Sequence, residues 1–539
     1  MVTSSLTRSV SGRICAPGRG SQLGWGIQFG PRDWTSRRGA AREARDVSPS
    51  AAATSGGSQA ASSGPATSDA PHGAAVGANS PPRICIVGGG FGGLYTAIKL
   101  EQLMWPKGSK PRVTLVDQNS RFSFKPLLYD VLTDSATEDE VAPAYSSVLA
   151  PYSVRYVQGR VSGVVNDADG VAEKAVLLQD GGRIPYDWLV MAMGAKTNSF
   201  GVPGVDEYAL QFSTYDDAVR LKDELARFSK DAGSGSNGGK FPEVCIVGGG
   251  YAGVELAASL VDRLGGKCRV RLVTSGDDVM EQAPDGQRQA AKEVLAGDGV
   301  SVMTGRVVEK IQVAGDNASA SVSAKRVIHT SDKASKTEKE VIEADIVVWT
   351  AGQSPALKGD QMGKQMPFKV NEYGAMETDR TLKVVDTRNV FALGDVAIAS
   401  QQALPTTAQV ALQQADFVAW NIWASINHRP LLNFQYQHLG NMMSLGASRG
   451  AIALPIPVPP PISAAIKSSP FGDILKAAGV SIDTTFAGAS DGVTIAGPAG
   501  ALLRRVAYLY RQPTDGQRLS VVSGWGKLVQ DRAKRGELK

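Results

Sequence analysis

Two short stretches of this chain carry residues arranged for chemistry on a dinucleotide. Gly88, Gly90 and Gly93 in RICIVGGGFGGLYTA (83–97) form GxGxxG directly after an apolar run, and Gly248, Gly250 and Gly253 in EVCIVGGGYAGVELA (243–257) repeat it 160 residues on. In such a loop the first glycine permits a tight turn and the second lets the backbone approach a pyrophosphate. The third lets the following helix pack close to the strand. The phosphates then meet the free amides and positive dipole of a helix N-terminus. Asp117 ends the next apolar run, RVTLVD (112–117), where a carboxylate accepts both ribose hydroxyls of an adenosine. Aligning VRLVT on VTLVD puts Thr274 at the matching place in the second unit, with Ser275 beside it. An acid there binds the 2′-hydroxyl of NAD and repels a 2′-phosphate, whereas Thr and Ser accommodate the phosphate. NADPH is therefore expected to serve at least comparably with NADH. Arg271 would add charge, and Asp277 or Asp278 are the alternative contacts.

Glu255 falls in the first turn of the second helix, facing the junction expected between nicotinamide and flavin. It either orients the nicotinamide amide or is a helix-start acid favoured by the dipole. NVFALGD (389–395) resembles the segment by which two-dinucleotide flavoproteins hold the FAD ribitol, with Asp395 as ligand. A helix starting near Pro405 would aim its amino end at the flavin pyrimidine, where a dipole stabilises negative charge on the reduced ring. Gln409 and Gln413 share one face of that helix. They line an acceptor pocket, or are solvated glutamines between the packing residues Ala408, Ala411 and Ala415. His72, His329, His428 and His438 have no metal spacing, so no metal site is expected. Cys15, Cys85, Cys245 and Cys268 include no close pair, and Cys85 and Cys245 read as small buried hydrophobes.

These residues need two α/β units to position them. At 539 residues the chain is long enough for two or three domains, and 42% hydrophobic with 20% charged residues is ordinary globular composition. The fold class expected is α/β, with two Rossmann-like dinucleotide-binding domains and a smaller C-terminal α+β domain that associates with a membrane. Residues 82–200 plus 375–431 would form the FAD domain, 201–374 the NAD(P)H domain and 432–539 the C-terminal domain. Segment 184–195 reads as a hairpin strand returning to the first sheet, 231–239 as a surface loop, and 301–345 as a polar β-rich stretch. Residues 1–80 hold eight Arg, no Lys and only four acids, a pattern of an organellar transit peptide running into a disordered linker; a cytosolic tail is the alternative. A net charge of +5 calls for no nucleic acid. No apolar stretch is long and Pro-free enough to span a bilayer, since 450–466 is broken by five prolines. A peripheral or soluble protein is expected, not a multi-span pump. Residues 501–511, ALLRRVAYLYR, read as an amphipathic helix with Leu502, Val506 and Leu509 on one face and Leu503 and Tyr510 at its edge. Arg504, Arg505 and Arg511 would reach anionic head groups, and residues 502–539 carry nine Lys/Arg against three acids.

Together GGGFGGLYTA, RFSFKPLLYDVL (121–132), the second unit ending in GVELA, FALGD and the TAQVALQQ helix resemble the type II, or alternative, NAD(P)H:quinone oxidoreductases, from about residue 82 to 445. The stretch PTTAQVALQQADFVAWNIWASINHRPLL is most similar to the plastid branch of plants and algae, which is linked to plastoquinone reduction and to quinone steps of phylloquinone and tocopherol metabolism. The resemblance implies FAD, NAD(P)H as donor and a membrane quinone, plastoquinone or a phylloquinone precursor, as acceptor, without proton pumping. It implies a hydride passed from NAD(P)H to FAD and two electrons passed on. It also places Lys125, Gly194, Gly352 and Gly394 among the cofactor-binding residues. A peripheral lipid surface, a chloroplast location at plastoglobule or thylakoid with the mitochondrion as a second site, and a homodimer as one assembly are further expectations. Residues 446–498, long and Pro/Gly/Ala-rich, depart from the pattern. A disulfide reductase or a sulfide:quinone reductase would need paired cysteines, and residues 94–111 hold none. A ferredoxin- or rubredoxin-type reductase, or a redox-sensing flavoprotein, stays open as an alternative.

Overall fold

The computed structural model describes residues 80–534 apart from 167–172, 234–240, 315–324, 360–362, 364–365, 400–403, 457–465, 467–468 and 484–491. The expected leader and most of the Pro-rich run lie outside the described residues. Near-continuous apolar runs ending in glycine form strands buried on both faces, as a parallel sheet requires. In the first unit these are β1 (Arg83–Val87), followed by helix α1 (Phe91–Gln102), then β2 (Arg112–Asp117), β3 (Val154–Gln158) and β4 (Trp188–Met191). Short helices 128–132 (α2) and 138–141 lie between β2 and β3. The second unit has β5 (Leu210–Gln211), β6 (Glu243–Val247), α3 (Tyr251–Leu264), β7 (Arg269–Val273), α4 (Asp285–Gly297), β8 (Ser301–Met303) and β9 (Ile346–Trp349). One strand, β10 (Val390–Ala392), returns to the first sheet.

The two five-stranded sheets, ordered β10-β4-β1-β2-β3 and β5-β9-β6-β7-β8, are parallel throughout and have the same layout. The repeat is deeper than the glycine motifs. Each unit inserts a three-stranded antiparallel layer, between β3 and β4 at 161–165, 175–178 and 183–185 in one and between β8 and β9 at 306–313, 326–332 and 339–344 in the other. Residues 184–195 consequently do not form a hairpin in the first sheet. Arg183–Pro185 belongs to the small layer, and Trp188–Met191 enters the main sheet parallel to β1. Residues 231–233 likewise extend a helix over Tyr215–Gly233, and 234–239 lie outside the described residues. A two-stranded antiparallel ribbon, Ala195–Thr197 on Gln353–Pro355, joins the units. Gly194 and Gly352, with φ of +69° and +70°, turn the chain into each of its strands.

Helix α5 (Ala408–Ile426) packs along α1. Beyond it lie β11 (Asn441–Ser444), β12 (Gly450–Leu454), β13 (Val480–Asp483) and β14 (Gly492–Ala496), an antiparallel sheet ordered β11-β12-β14-β13. Helix α6 (Gly497–Tyr510) covers this sheet, and α7 (Asp515–Lys534) lies against the helix at 138–141. Gln287 of α4 ties the sheet to the second unit by donating to the carbonyls of Asn441 and Ala451 at 3.0 and 3.1 Å. Among the described residues no helix is long and apolar enough to cross a membrane.

Candidate functional site

The two glycine loops superpose in their local geometry. Gly88 and Gly248 have φ of +100° and +123°, which favours glycine. A Cβ on Gly93 would meet the Gly88 carbonyl oxygen at 1.8 Å, and one on Gly253 would meet that of Gly248 at the same distance. Gly90 and Gly250 face open space, so each loop has an unobstructed side where a pyrophosphate can approach. In the first loop Asp117 accepts the amides of Gly89 at 2.7 Å and Asn119 at 2.8 Å. Burial pushes its carboxyl upward, against the pull of those amides. Tyr145, which the sequence did not single out, supports the loop from below by donating its hydroxyl to the Gly89 carbonyl at 2.9 Å.

Asp395 follows β10 in a single turn of 3-10 helix. Burial raises its carboxyl above the usual range, with Lys125 opposing. Gly394 (φ +70°) donates its amide to the buried Gln414 at 2.7 Å, fixing the turn on α5. The helix starts at Ala408 with Thr407 as its cap, three residues later than Pro405 predicts. Gly394, Asp395, Pro405 and Thr406 line a cavity of about 190 Å³. An open glycine loop, a carboxylate at the end of β2 and a half-buried acid within the electrostatic reach of Lys125 fit FAD; Gly88, Gly90, Gly93, Asp117, Lys125, Gly394 and Asp395 would hold it.

In the second unit Thr274 does occupy the place of Asp117, but its side chain is buried against Gly249. Its hydroxyl accepts the Gly276 amide at 3.2 Å and does not face the open side of the loop. Arg271 donates to the Glu343 carbonyl. Glu255 lies in the second turn of α3, one turn later than expected, beyond the strongest reach of the helix dipole. It is buried, accepts the Ser444 amide at 2.7 Å and is hydrogen-bonded by Tyr129. Burial pushes its carboxyl up to about 8, with the Ser444 amide, Arg504 and Tyr129 holding it back.

Arg504 is the largest departure from the sequence reading. It lies 0% exposed, its guanidinium 3.0 Å from both oxygens of the buried Asp130, and so reaches no head group. Arg505 is likewise engaged, donating to the Ser135 carbonyl and standing 3.7 Å from Glu140. Beside this buried group lies an apolar cavity of about 380 Å³, walled by Phe91, Phe124, Gln409, Met442, Leu503 and Tyr508 among others. Gln409 is on its wall with its amide spent on the segment after α5: it donates to Gly440 and accepts from Tyr436 and Leu439. Gln413 pairs with the backbone of Gln437 and is not on the wall, so the two glutamines do different things. Tyr508 joins the two regions, lining the cavity while Arg504 stacks 5.5 Å from its ring centre.

Residues 82–415 match the pyridine nucleotide-disulphide oxidoreductase family. The chain is 37% identical over 458 residues to the alternative NAD(P)H-ubiquinone oxidoreductase C1, chloroplastic/mitochondrial, of Arabidopsis thaliana, covering 83% of this chain and 81% of that protein. It is 36% identical over 453 residues to demethylphylloquinone reductase NdbB of Synechocystis sp., covering 82% and 95%. The chain belongs to the type II NAD(P)H:quinone oxidoreductases of that family. As a member it is a flavoprotein oxidoreductase that carries FAD and takes NAD(P)H as donor. NDH2 from Plasmodium falciparum, solved in complex with NADH, has the same fold, with a TM-score of 0.65 at 16% identity over 83% of this chain and 98% of that one. Among the described residues Cys85, Cys245 and Cys268 are free thiols, with Cys85 and Cys245 buried in the central strands β1 and β6.

Proposed function

We propose that this enzyme oxidises NAD(P)H and reduces a long-tailed quinone taken from a lipid surface, alone or as a homodimer. The observation that carries this reading is the inverted amphipathicity of α6. Leu502 and Val506 stand 65% and 51% exposed while Arg504 is fully buried. Leu439, Leu503 and Tyr510 are both exposed and on the wall of the apolar cavity, so its mouth opens within this greasy surface. Leu519, Val522 and Val529 of α7 are exposed as well. An apolar face displayed to water beside a cavity mouth is costly unless lipid covers it.

When held by Gly88, Gly90, Gly93, Asp117, Lys125, Gly394 and Asp395, FAD would supply the redox chemistry that joins the halves, hydride uptake on the donor side and two-electron release on the acceptor side. The chain's own part is to hold, shield and supply protons. Reducing a quinone to a quinol needs two protons beside the two electrons, and Glu255, protonated at neutral pH, stores one in the wall between the donor unit and the C-terminal domain. Tyr129 and Ser444 hold that carboxyl in place. Gln409 keeps the cavity wall closed over the segment at 436–440. The names of the plant and cyanobacterial relatives, a chloroplastic/mitochondrial NAD(P)H-ubiquinone oxidoreductase and a demethylphylloquinone reductase, support a plastid or mitochondrial site and a quinone acceptor, for which plastoquinone or a phylloquinone precursor is the proposed class. Plastoglobule and thylakoid are the two lipid surfaces proposed. Vesicle flotation tests the reading: Leu502→Ser with Val506→Ser, both exposed and off the cavity wall, should release the protein from anionic vesicles and slow long-tailed quinone reduction several-fold. A short, soluble quinone should be reduced as before, and unaltered flotation would count against a lipid role for α6.

A further inference from the structure

The donor site lacks the usual strand-end acid, since Thr274 stands there, buried against the glycine loop. The loop that follows β7 folds back over this place. Met280, with φ of +51°, donates its amide to the Gly249 carbonyl at 2.8 Å, which sets the next residue, Glu281, at the rim of the glycine turn. Glu281 Oε1 accepts the amides of Asp277 at 2.6 Å and Asp278 at 3.3 Å. Gly276 leaves room for it, because a Cβ there would meet the same oxygen at 2.9 Å. Two backbone amides that would otherwise bind a phosphate are therefore occupied by a carboxylate.

The cations around the loop are also committed. Lys292 donates to Asp278 at 2.9 Å, Lys333 stands 3.9 Å from Asp277, and Arg306 turns to Glu338 and Glu340, 3.3 Å from each. We propose that Glu281 replaces the missing strand-end acid and selects the donor: it accepts the adenosine 2′-hydroxyl of NADH through Oε2 and repels the 2′-phosphate of NADPH. This rests on the second glycine loop being the donor site. It reverses the preference that Thr274 alone predicts, because the carboxylate arrives from seven residues later in the chain. A 2′-phosphate would have to displace Glu281 from its amides and bring a second negative charge beside Asp277.

The test compares the FAD-loaded wild type with Glu281→Gln and Glu281→Ala. One readout is bleaching of the flavin by NADH or NADPH. The other is nucleotide binding in competition with 5′-AMP or adenosine 2′,5′-bisphosphate, which reads the adenosine half alone. The wild type should favour NADH and 5′-AMP. Glu281→Gln keeps a carbonyl for the amides and removes the charge, so NADPH kcat/KM and bisphosphate affinity should rise about tenfold or more while NADH changes little. An unchanged ratio in Glu281→Gln, or equal losses for both donors, would overturn the proposal and leave Glu281 as a brace for the loop. A wild type bleached by neither nucleotide would instead overturn the donor site itself.

Discussion

Glu255 makes the sharpest demand on solution behaviour at the scale of single residues. Its carboxyl keeps a proton up to about pH 8 in the folded chain, whereas the unfolded chain releases it near 4.5. Between those values the folded state binds the extra proton, so this group's contribution to stability falls as pH rises from about 4.5 to about 8. Glu255→Gln removes that slope, which urea titrations at several pH values would reveal as a flatter stability profile. If Glu255 stores the proton used at the acceptor side, wild-type quinone reduction declines as pH rises through about 8. The Gln variant is slower and loses that limb. The two glutamines of α5 separate in the same way. Gln409→Ala should slow flavin reoxidation by quinone on the order of tenfold with hydride uptake untouched, while Gln413→Ala should do little beyond loosening residue 437. A slowed reductive half-reaction in Gln409→Ala would move that residue to the donor side. On the cofactor side Asp117→Ala should weaken FAD retention without unfolding the sheet, measured as flavin released on dilution, because the carboxylate organises the loop through the Gly89 amide.

Among the elements, α6 shows where sequence patterning is informative and where it stops. Its outward apolar face at Leu502 and Val506 was legible from helical spacing, because a helix repeats every 3.6 residues. Arg504 lies two positions from Leu502, about 200° round the axis, and so points inward with Ala501 and Tyr508. Reading its charge as solvent-facing failed because its partner, Asp130, lies 374 residues away, and no local spacing announces such a pair. Removing one member leaves a bare buried charge: Arg504→Leu should cost about 3–5 kcal/mol in denaturant unfolding. Arg504→Leu with Asp130→Leu should cost much less, and equal losses would mean that the pair is not the source. The glycine loops, β1, β2, β6 and β7 were legible because a parallel strand, a turn and a helix must follow one another within a few residues. Tyr145, Gln414 and Tyr129 were not, since each acts on a loop or side chain brought near only by tertiary folding. Glu281 was hidden for a related reason, as the turn at Met280 brings its carboxylate back onto the loop amides of Asp277 and Asp278.

Taken as a whole molecule, two copies of one topology stand joined by a two-stranded ribbon, and a third sheet with α6 and α7 borders both. The buried group of Glu255, Tyr129, Asp130, Arg504 and Tyr508 draws on the first unit, the second unit and the C-terminal domain together. Loosening the C-terminal helices should therefore disturb acceptor chemistry as well as lipid binding. The central claim is that electrons enter from NAD(P)H, pass through one bound FAD and leave to a quinone. Anaerobic stopped flow on the purified flavoprotein measures this directly, with NADH or NADPH mixed first and a quinone second. The visible flavin absorbance should bleach in the first step and return fully in the second. A folded protein that binds no flavin, or one whose reduced flavin persists with every quinone yet is reoxidised rapidly by ferredoxin, would contradict it.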